Sequence, residues 1–241
     1  MDTFTIVSLV TVGLGAGFIQ RVSGFGLGIF AMLFLPYLMT EPVAAAAVSC
    51  LISCGATTYN TIKYRKYIPY KTTLPLILAS LITIPIAVYY AASVSGEFFK
   101  MLLGVVLILI SIYLLFFDSK ISIKPTVKNG LLAGTAGGVL GGLFSTQGPP
   151  VVLYLTYATK EKMVYFAGLQ FYFCLTNYYA TAIRVMNGII TSEVLFVALT
   201  GFAGCMAGDL LGRLVFDKLD GARLKKVIYA GMIISGLLMI I

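Results

Sequence analysis

Apolar runs of about 18 residues or more recur from one end of this 241-residue chain to the other, each long enough to cross a bilayer as a helix. A lipid core offers no water to the backbone, so such runs must satisfy their own amides, and the α-helix does this within a single segment. Composition agrees: 59% of residues are hydrophobic, only 11% are charged, and the mean hydropathy is +0.98. That leaves too few charges to coat a water-soluble globule of this length. The chain reads as an all-α polytopic membrane protein.

The segments fall at 3–20, 25–39, 42–59, 73–92 and 98–117, then 129–143, 148–158, 163–183, 193–213 and 224–241. If each reverses the direction of the one before, 15 of the 17 lysines and arginines fall on one side, leaving only Lys100 and Arg184 on the other. The positive-inside rule makes the rich side cytoplasmic and predicts both termini outside, as in a multi-pass plasma-membrane protein. Fusing 3–39 and 129–158 into single crossings splits the same charges 8 to 9 and explains nothing. Two segments are short for their task. Residues 148–158 reach only about 17 Å as a helix and residues 25–39 about 22 Å, against a hydrocarbon core of about 30 Å. The first two segments of each half are therefore expected to form a broken or re-entrant hairpin that turns within the membrane.

An odd number of crossings per half inverts the second half relative to the first. GFIQRVSGFGLGIFAMLFL at 17–35 lies over GGLFSTQGPPVVLYLTYAT at 141–159, and each half ends in a charged turn, SGEFFKMLLG at 95–104 and DGARLKKVIYAG at 220–231. The domains expected are an N-terminal repeat at 1–118, a cytoplasmic linker at 119–128 and an inverted C-terminal repeat at 129–241. Inverted repeats with broken helices at the midplane are the recurrent plan of secondary transporters.

Two turns carry the chemistry. Arg21-Val22-Ser23-Gly24-Phe25-Gly26 precedes one short segment and Ser145-Thr146-Gln147-Gly148-Pro149-Pro150 the other. Proline at the first turn of a helix sacrifices no hydrogen bond, and glycine lets a ligand approach the backbone, so both turns read as helix N-termini. Two such ends converging from opposite leaflets would place free amides and partial positive charge around an anion. Ser23, Ser145, Thr146 and Gln147 add donors, and Arg21 adds a fork-shaped positive charge, unless it snorkels to the cytoplasmic surface. The expected substrate-binding set is Arg21, Ser23, Gly24, Phe25, Gly26, Ser145, Thr146, Gln147, Gly148 and Pro149. Asp209 is the clear candidate for an intramembrane carboxylate. It can carry a coupling proton, or pair with Arg213 one helical turn away.

Other features read more plainly. Gly201, Gly204, Gly208 and Gly212 make a smooth helix face for packing. Cys50, Cys54, Cys174 and Cys205 lie in apolar segments without paired spacing, as reduced packing residues. Histidine is absent, which excludes histidine metal sites, proton relays and triads; neither metal nor cofactor is expected. The net charge of +8 sits in short loops, and Tyr64, Tyr67 and Tyr70 beside Lys63, Arg65 and Lys66 suit a membrane interface rather than nucleic acid. The opening Met1-Asp2 lacks the basic region of a cleavable signal peptide. An intramembrane enzyme lacks support, since no serine has a visible base partner. An ion channel, or a cation-coupled carrier using Asp209 and turn carbonyls, is the competing reading.

With these motifs in place, GFIQRVSGFGLGIFAMLFLPYLM, GGVLGGLFSTQGPPVVLYL and AGDLLGRLVFDKLDGARLKKVIYAG, the chain resembles the sulfite exporter TauE/SafE family over nearly its whole length. Phe25 and Leu27 depart from the family's commoner glycine run, as does Ser145-Thr146-Gln147, all at positions where a ligand would be read. The resemblance implies a transporter of sulfur-containing anions such as sulfite, sulfoacetate or other organosulfonates, working as an exporter at the plasma membrane.

Overall fold

The computed structural model describes residues 3–116, 124–215 and 233–240, and among these every regular element is helical. The helices are α1 (Thr3–Ser23), α2 (Leu27–Leu38), α3 (Pro42–Lys63), α4 (Tyr70–Ser93), α5 (Gly96–Phe116), α6 (Val127–Phe144), α7 (Gly148–Ala158), α8 (Lys162–Met186) and α9 (Ser192–Val215). A 3-10 turn at Arg65–Tyr67 leads into α4, and residues 233–240 are also helical. Five of the helices are long and apolar enough to span a membrane. The chain is a multi-pass membrane protein. The charged turn at 220–231, the first part of the tenth segment and Lys120, Lys218, Arg223, Lys225 and Lys226 lie outside the described residues.

The side chains are sorted for lipid. On α4, Leu74, Leu78, Ile82 and Ile86 recur every fourth residue and are exposed, while Thr73, Ser80 and Ala87 turn inward. On α3 the buried face carries Ser49, Ser53, Thr57 and Asn60. Oil faces out and hydroxyls face in, as a bilayer solvent favours and water would not.

Small residues decide which helices pair. α1 packs chiefly on α9 and α4 on α6. A methyl added to Gly204 or Gly208 would overlap the carbonyls of Val10 and Leu14, and one on Gly134 the carbonyl of Leu76. The glycine face expected on the ninth segment is thus the bed of α1.

These contacts also give direction. Along α1 and α9 the partners climb together, from Val10 with Gly204 through Leu14 with Gly208 to Arg21 with Gly212. Along α4 and α6 they do the same, from Leu76 with Gly134 to Ile84 with Gly142. α3 and α8 run oppositely, since Cys50 meets Asn177 and Thr181 while Asn60 meets Gln170. α9 follows α3, Ile52 touching Gly201 and Tyr59 meeting Arg213, and α8 follows α4, Thr73 touching Gly168 and Ser80 meeting Tyr172. Hence α1, α3 and α9 point one way and α4, α6 and α8 the other.

The two short helices fold back on their predecessors. Phe30 of α2 lies over Gly15 of α1, and Val151 and Tyr154 of α7 lie over Gly137 and Gly130 of α6. With 12 and 11 residues, they reach about 18 and 17 Å, well short of a crossing. The helical hairpins expected for both halves are present.

Gly208→Leu is expected to push α1 from α9 and cost about 1–3 kcal/mol by overpacking. Thermal unfolding in detergent checks this, with lipid-facing Leu199→Ala as a variant that leaves the melting temperature nearly unchanged.

Candidate functional site

The first break is shorter than the sequence suggested. α1 continues through Arg21 to Ser23, because the Ser23 hydroxyl donates back to the Ile19 carbonyl (2.7 Å) and the Gly24 amide reaches Gln20 O (2.9 Å). Gly24 and Gly26 then take φ of 79° and 105°, left-handed values that a side chain would strain, and α2 starts at Leu27. Its first amide is capped from the preceding helix, Leu27 N–H donating to Gln20 Oε1 at 3.2 Å. The second break is built differently. Ser145 closes α6 at φ 56°, the single non-glycine residue with positive φ among the described residues, and its hydroxyl donates to Ala46 O of α3 (2.9 Å). Gly148 opens α7, followed by Pro149 and Pro150, which need no amide partner there.

The two breaks meet. A methyl on Gly28 would overlap the Ser145 carbonyl, and one on Gly148 would press the Phe25 ring at 3.0 Å. Between them lies a cavity of about 20 Å³, room for about one water, walled by Gln20, Gly26 and Gly28, by Ser145, Thr146, Gln147 and Gly148, and by Ser53, Thr57 and Asn177. Amides and hydroxyls share this wall with Leu27, Ile29 and Phe173, and no charged side chain lines it. Gln147 Nε2 donates to Asn177 Oδ1 (2.8 Å), while Gln147 Oε1 and the Ser49 hydroxyl are buried without partners. A second amide relay supports the other turn, Asn60 Nδ2 donating to Gln170 Oε1 (3.4 Å) and Gln170 Nε2 to the Gly24 carbonyl (3.0 Å).

Of the residues expected to bind substrate, Gly26, Ser145, Thr146, Gln147 and Gly148 line this cavity, and Phe25 and Pro149 are buried beside it. Arg21, Ser23 and Gly24 line a separate vestibule of about 180 Å³ with Tyr64, Lys162 and Phe166, and the Arg21 guanidinium lies 6.0 Å from the Phe166 ring. A second vestibule of about 270 Å³, edged by Glu41, Gly188 and Glu193, lies at the opposite end of the α3–α8 pair. The central cavity therefore sits between a pocket that carries Arg21 and Lys162 and one that carries Glu41 and Glu193. Asp209 stands apart from all three. Arg213 holds its carboxylate through Nε at 2.8 Å and Nη2 at 2.5 Å, and Arg213 also lies over the Tyr59 ring.

Gln20, Ser53, Thr57, Gln170 and Asn177 were not singled out from the sequence as site residues. For all but Gln20 a signal was available: polar residues recurring every three or four positions on α3, at 49-53-57-60, and every seven positions on α8, at 170-177-184, mark faces turned away from lipid within apolar helices.

A family model described as "Sulfite exporter TauE/SafE" matches residues 9–239. A Cupriavidus necator protein described as "Probable sulfite/organosulfonate exporter TauE" is 24% identical over 225 residues, covering 91% of this chain and 88% of its own length. No solved structure matches the chain significantly.

Gln147→Leu and Asn177→Leu are each expected to cost about 1–3 kcal/mol, because each leaves a buried amide unpaired. The double variant should lose less than the two losses combined, by about 0.5–3 kcal/mol, which a double-mutant cycle of detergent unfolding measures directly.

Proposed function

The chain belongs to the sulfite exporter TauE/SafE family, and from that premise we propose that it is a secondary transporter that exports a small sulfur-containing oxyanion across the plasma membrane. The supporting observation is the wall of the central cavity. Beyond the Leu27 amide, which Gln20 caps, the first-turn amides of α2 have no acceptor within their own helix, and Ser145, Thr146 and Gln147 line the same space, which no carboxylate lines. Such a site, with free amides and no carboxylate, favours an anion over a cation. Sulfite, sulfoacetate and other organosulfonates are the substrate class, in keeping with the name of the Cupriavidus relative.

The proposed movement is alternating access. The cavity, at about 20 Å³, is too small for a sulfonate, so the two hairpin tips must part toward one vestibule and then the other. The halves 1–118 and 129–241, joined by a linker at 119–128, act as inverted repeats in this reading. Opposite directions of α1 and α6, of α3 and α8 and of α4 and α9 support it, and so does the exchange of partners between halves, α1 with α9 and α6 with α4. The mouth with Arg21 and Lys162 is the cytoplasmic one, where the loop lysines and arginines concentrate, and both termini lie outside. Arg21 then gathers the anion at the mouth, and the neutral dipoles bind it. Asp209 serves this scheme as the partner of Arg213 rather than as a ligand.

Efflux of labelled sulfite from proteoliposomes tests the assignment. Gln147→Ala should cut the rate about 10- to 100-fold, the loss of one or two strong hydrogen bonds to a charged ligand. Arg21→Ala should raise the half-saturating concentration on its own side and leave the maximal rate near normal. Undiminished efflux in Gln147→Ala, or abolition by Asp209→Asn alone, would overturn the site.

A further inference from the structure

Arg184 sits one layer behind the central cavity. The sequence places it at the outer end of the eighth segment, yet its side chain is 1% exposed. From the last turn of α8, its guanidinium reaches across to the end of α6, where Nη2 donates to the carbonyls of Gly141 (3.1 Å) and Gly142 (2.9 Å). Nη1 is buried with no acceptor. Among the described residues no carboxylate pairs with it; the ion pair they contain is that of Arg213 with Asp209.

A guanidinium taken out of water must find a countercharge or keep an uncompensated charge in a low dielectric. The C-terminal carbonyls of α6 offer partial charge, equivalent to about half an electron, which leaves the pocket net positive. Gly141 links this charge to the cavity. Its carbonyl accepts from both Arg184 and the Ser145 amide (3.0 Å), and its Cα face lies against the Gln147 side chain, so a methyl there would stand 2.9 Å from Gln147 Oε1. Ser145 and Gln147 are both cavity walls, and Asn177, the partner of Gln147, lies two turns before Arg184 on α8.

We propose that Arg184 is the fixed countercharge of the central site and determines that the site takes an anion rather than a neutral molecule of the same shape. The inference rests on the transporter reading above and extends it to charge selectivity. Arg184 touches no cavity space in this closed arrangement and acts as a positioning charge through Gly141 and Gln147. A purely structural alternative exists, in which the guanidinium only caps the end of α6. The two differ in what they require, since a cap needs N–H donors whereas a countercharge needs the charge.

The test is calorimetric binding to purified protein, with sulfite and methanesulfonate as anions and dimethyl sulfone as the neutral isostere. Wild type should bind the anions and not the sulfone. Arg184→Lys, which keeps the charge on a different head group, should stay within about fivefold of wild type. Arg184→Gln, which keeps N–H donors without charge, should weaken anion binding by about 30-fold or more and lose the preference over the sulfone. Anion binding by Arg184→Gln equal to wild type would reduce Arg184 to a cap and overturn the proposal. Should Arg184→Gln fail to fold, Arg184→Lys decides: folded and blind to anions, it overturns the charge argument as well. Wild-type protein that binds neither sulfite nor methanesulfonate would bring down the transporter reading and this inference together, whereas wild-type binding with an unaffected Arg184→Gln removes only the role of Arg184.

Discussion

Two helices stop inside the bundle, and each can do so only because the other covers it. Backbone that leaves the helical path at membrane depth must be buried in protein or wetted. Here the first turn of α2 lies directly on the Ser145 carbonyl, with Gly28 as the one residue type thin enough for the contact, and Gly148 receives the Phe25 ring in return. The polar wall is a by-product of that closure. Once the tips meet, their amides and hydroxyls have only each other, α1, α3 and α8 to face, and the space between them gathers polar groups beside Leu27, Ile29 and Phe173.

The glycine seams make this closure a mechanical joint. α1 carries the first tip and is bedded on α9, while α6 carries the second and is bedded on α4, so each tip is clamped to a helix from the other half of the chain. Packing at backbone contact leaves little room for bending, because side chains that could yield are absent. On the proposed mechanism, a tip therefore moves together with its distant partner as one body. α3 and α8, antiparallel and joined by amides and thiols rather than by glycine contacts, are the softer boundary along which such bodies can shift.

How far the sequence could be read follows from the same physics. Hydropathy depends only on where apolar runs begin and end, so the helical segments, the two short hairpins and the broken turns were legible, as was the glycine face of α9. What they leave undetermined is rotation about a helix axis. Gln20 and Arg21 are neighbours, yet one helical step sends Gln20 to cap α2 at the cavity and Arg21 to the vestibule, and the step exists because α1 runs on to Ser23. Position alone sends Arg184 to the outer side for a related reason. A charge at a segment end counts as loop when only position is used, and nothing in the position reveals two carbonyls at the end of α6 waiting to bind it.

The separation of dipoles from charge bears on what an exporter requires. A site that carries an ion must hold it firmly enough to select it and weakly enough to release it. A guanidinium in the wall would bind a sulfonate with bidentate hydrogen bonds and make its departure slow. In the proposed mechanism, neutral donors in the wall, with the full charge set behind Gly141 and Gln147, retain the attraction that excludes neutral molecules and forgo the short contacts that would trap the anion. On this reading the acidic mouth at Glu41 and Glu193 completes the sequence. An anion gathered beside Arg21 and held at the centre by dipoles meets like charge on the far side, which keeps the local anion concentration low there and disfavours its return.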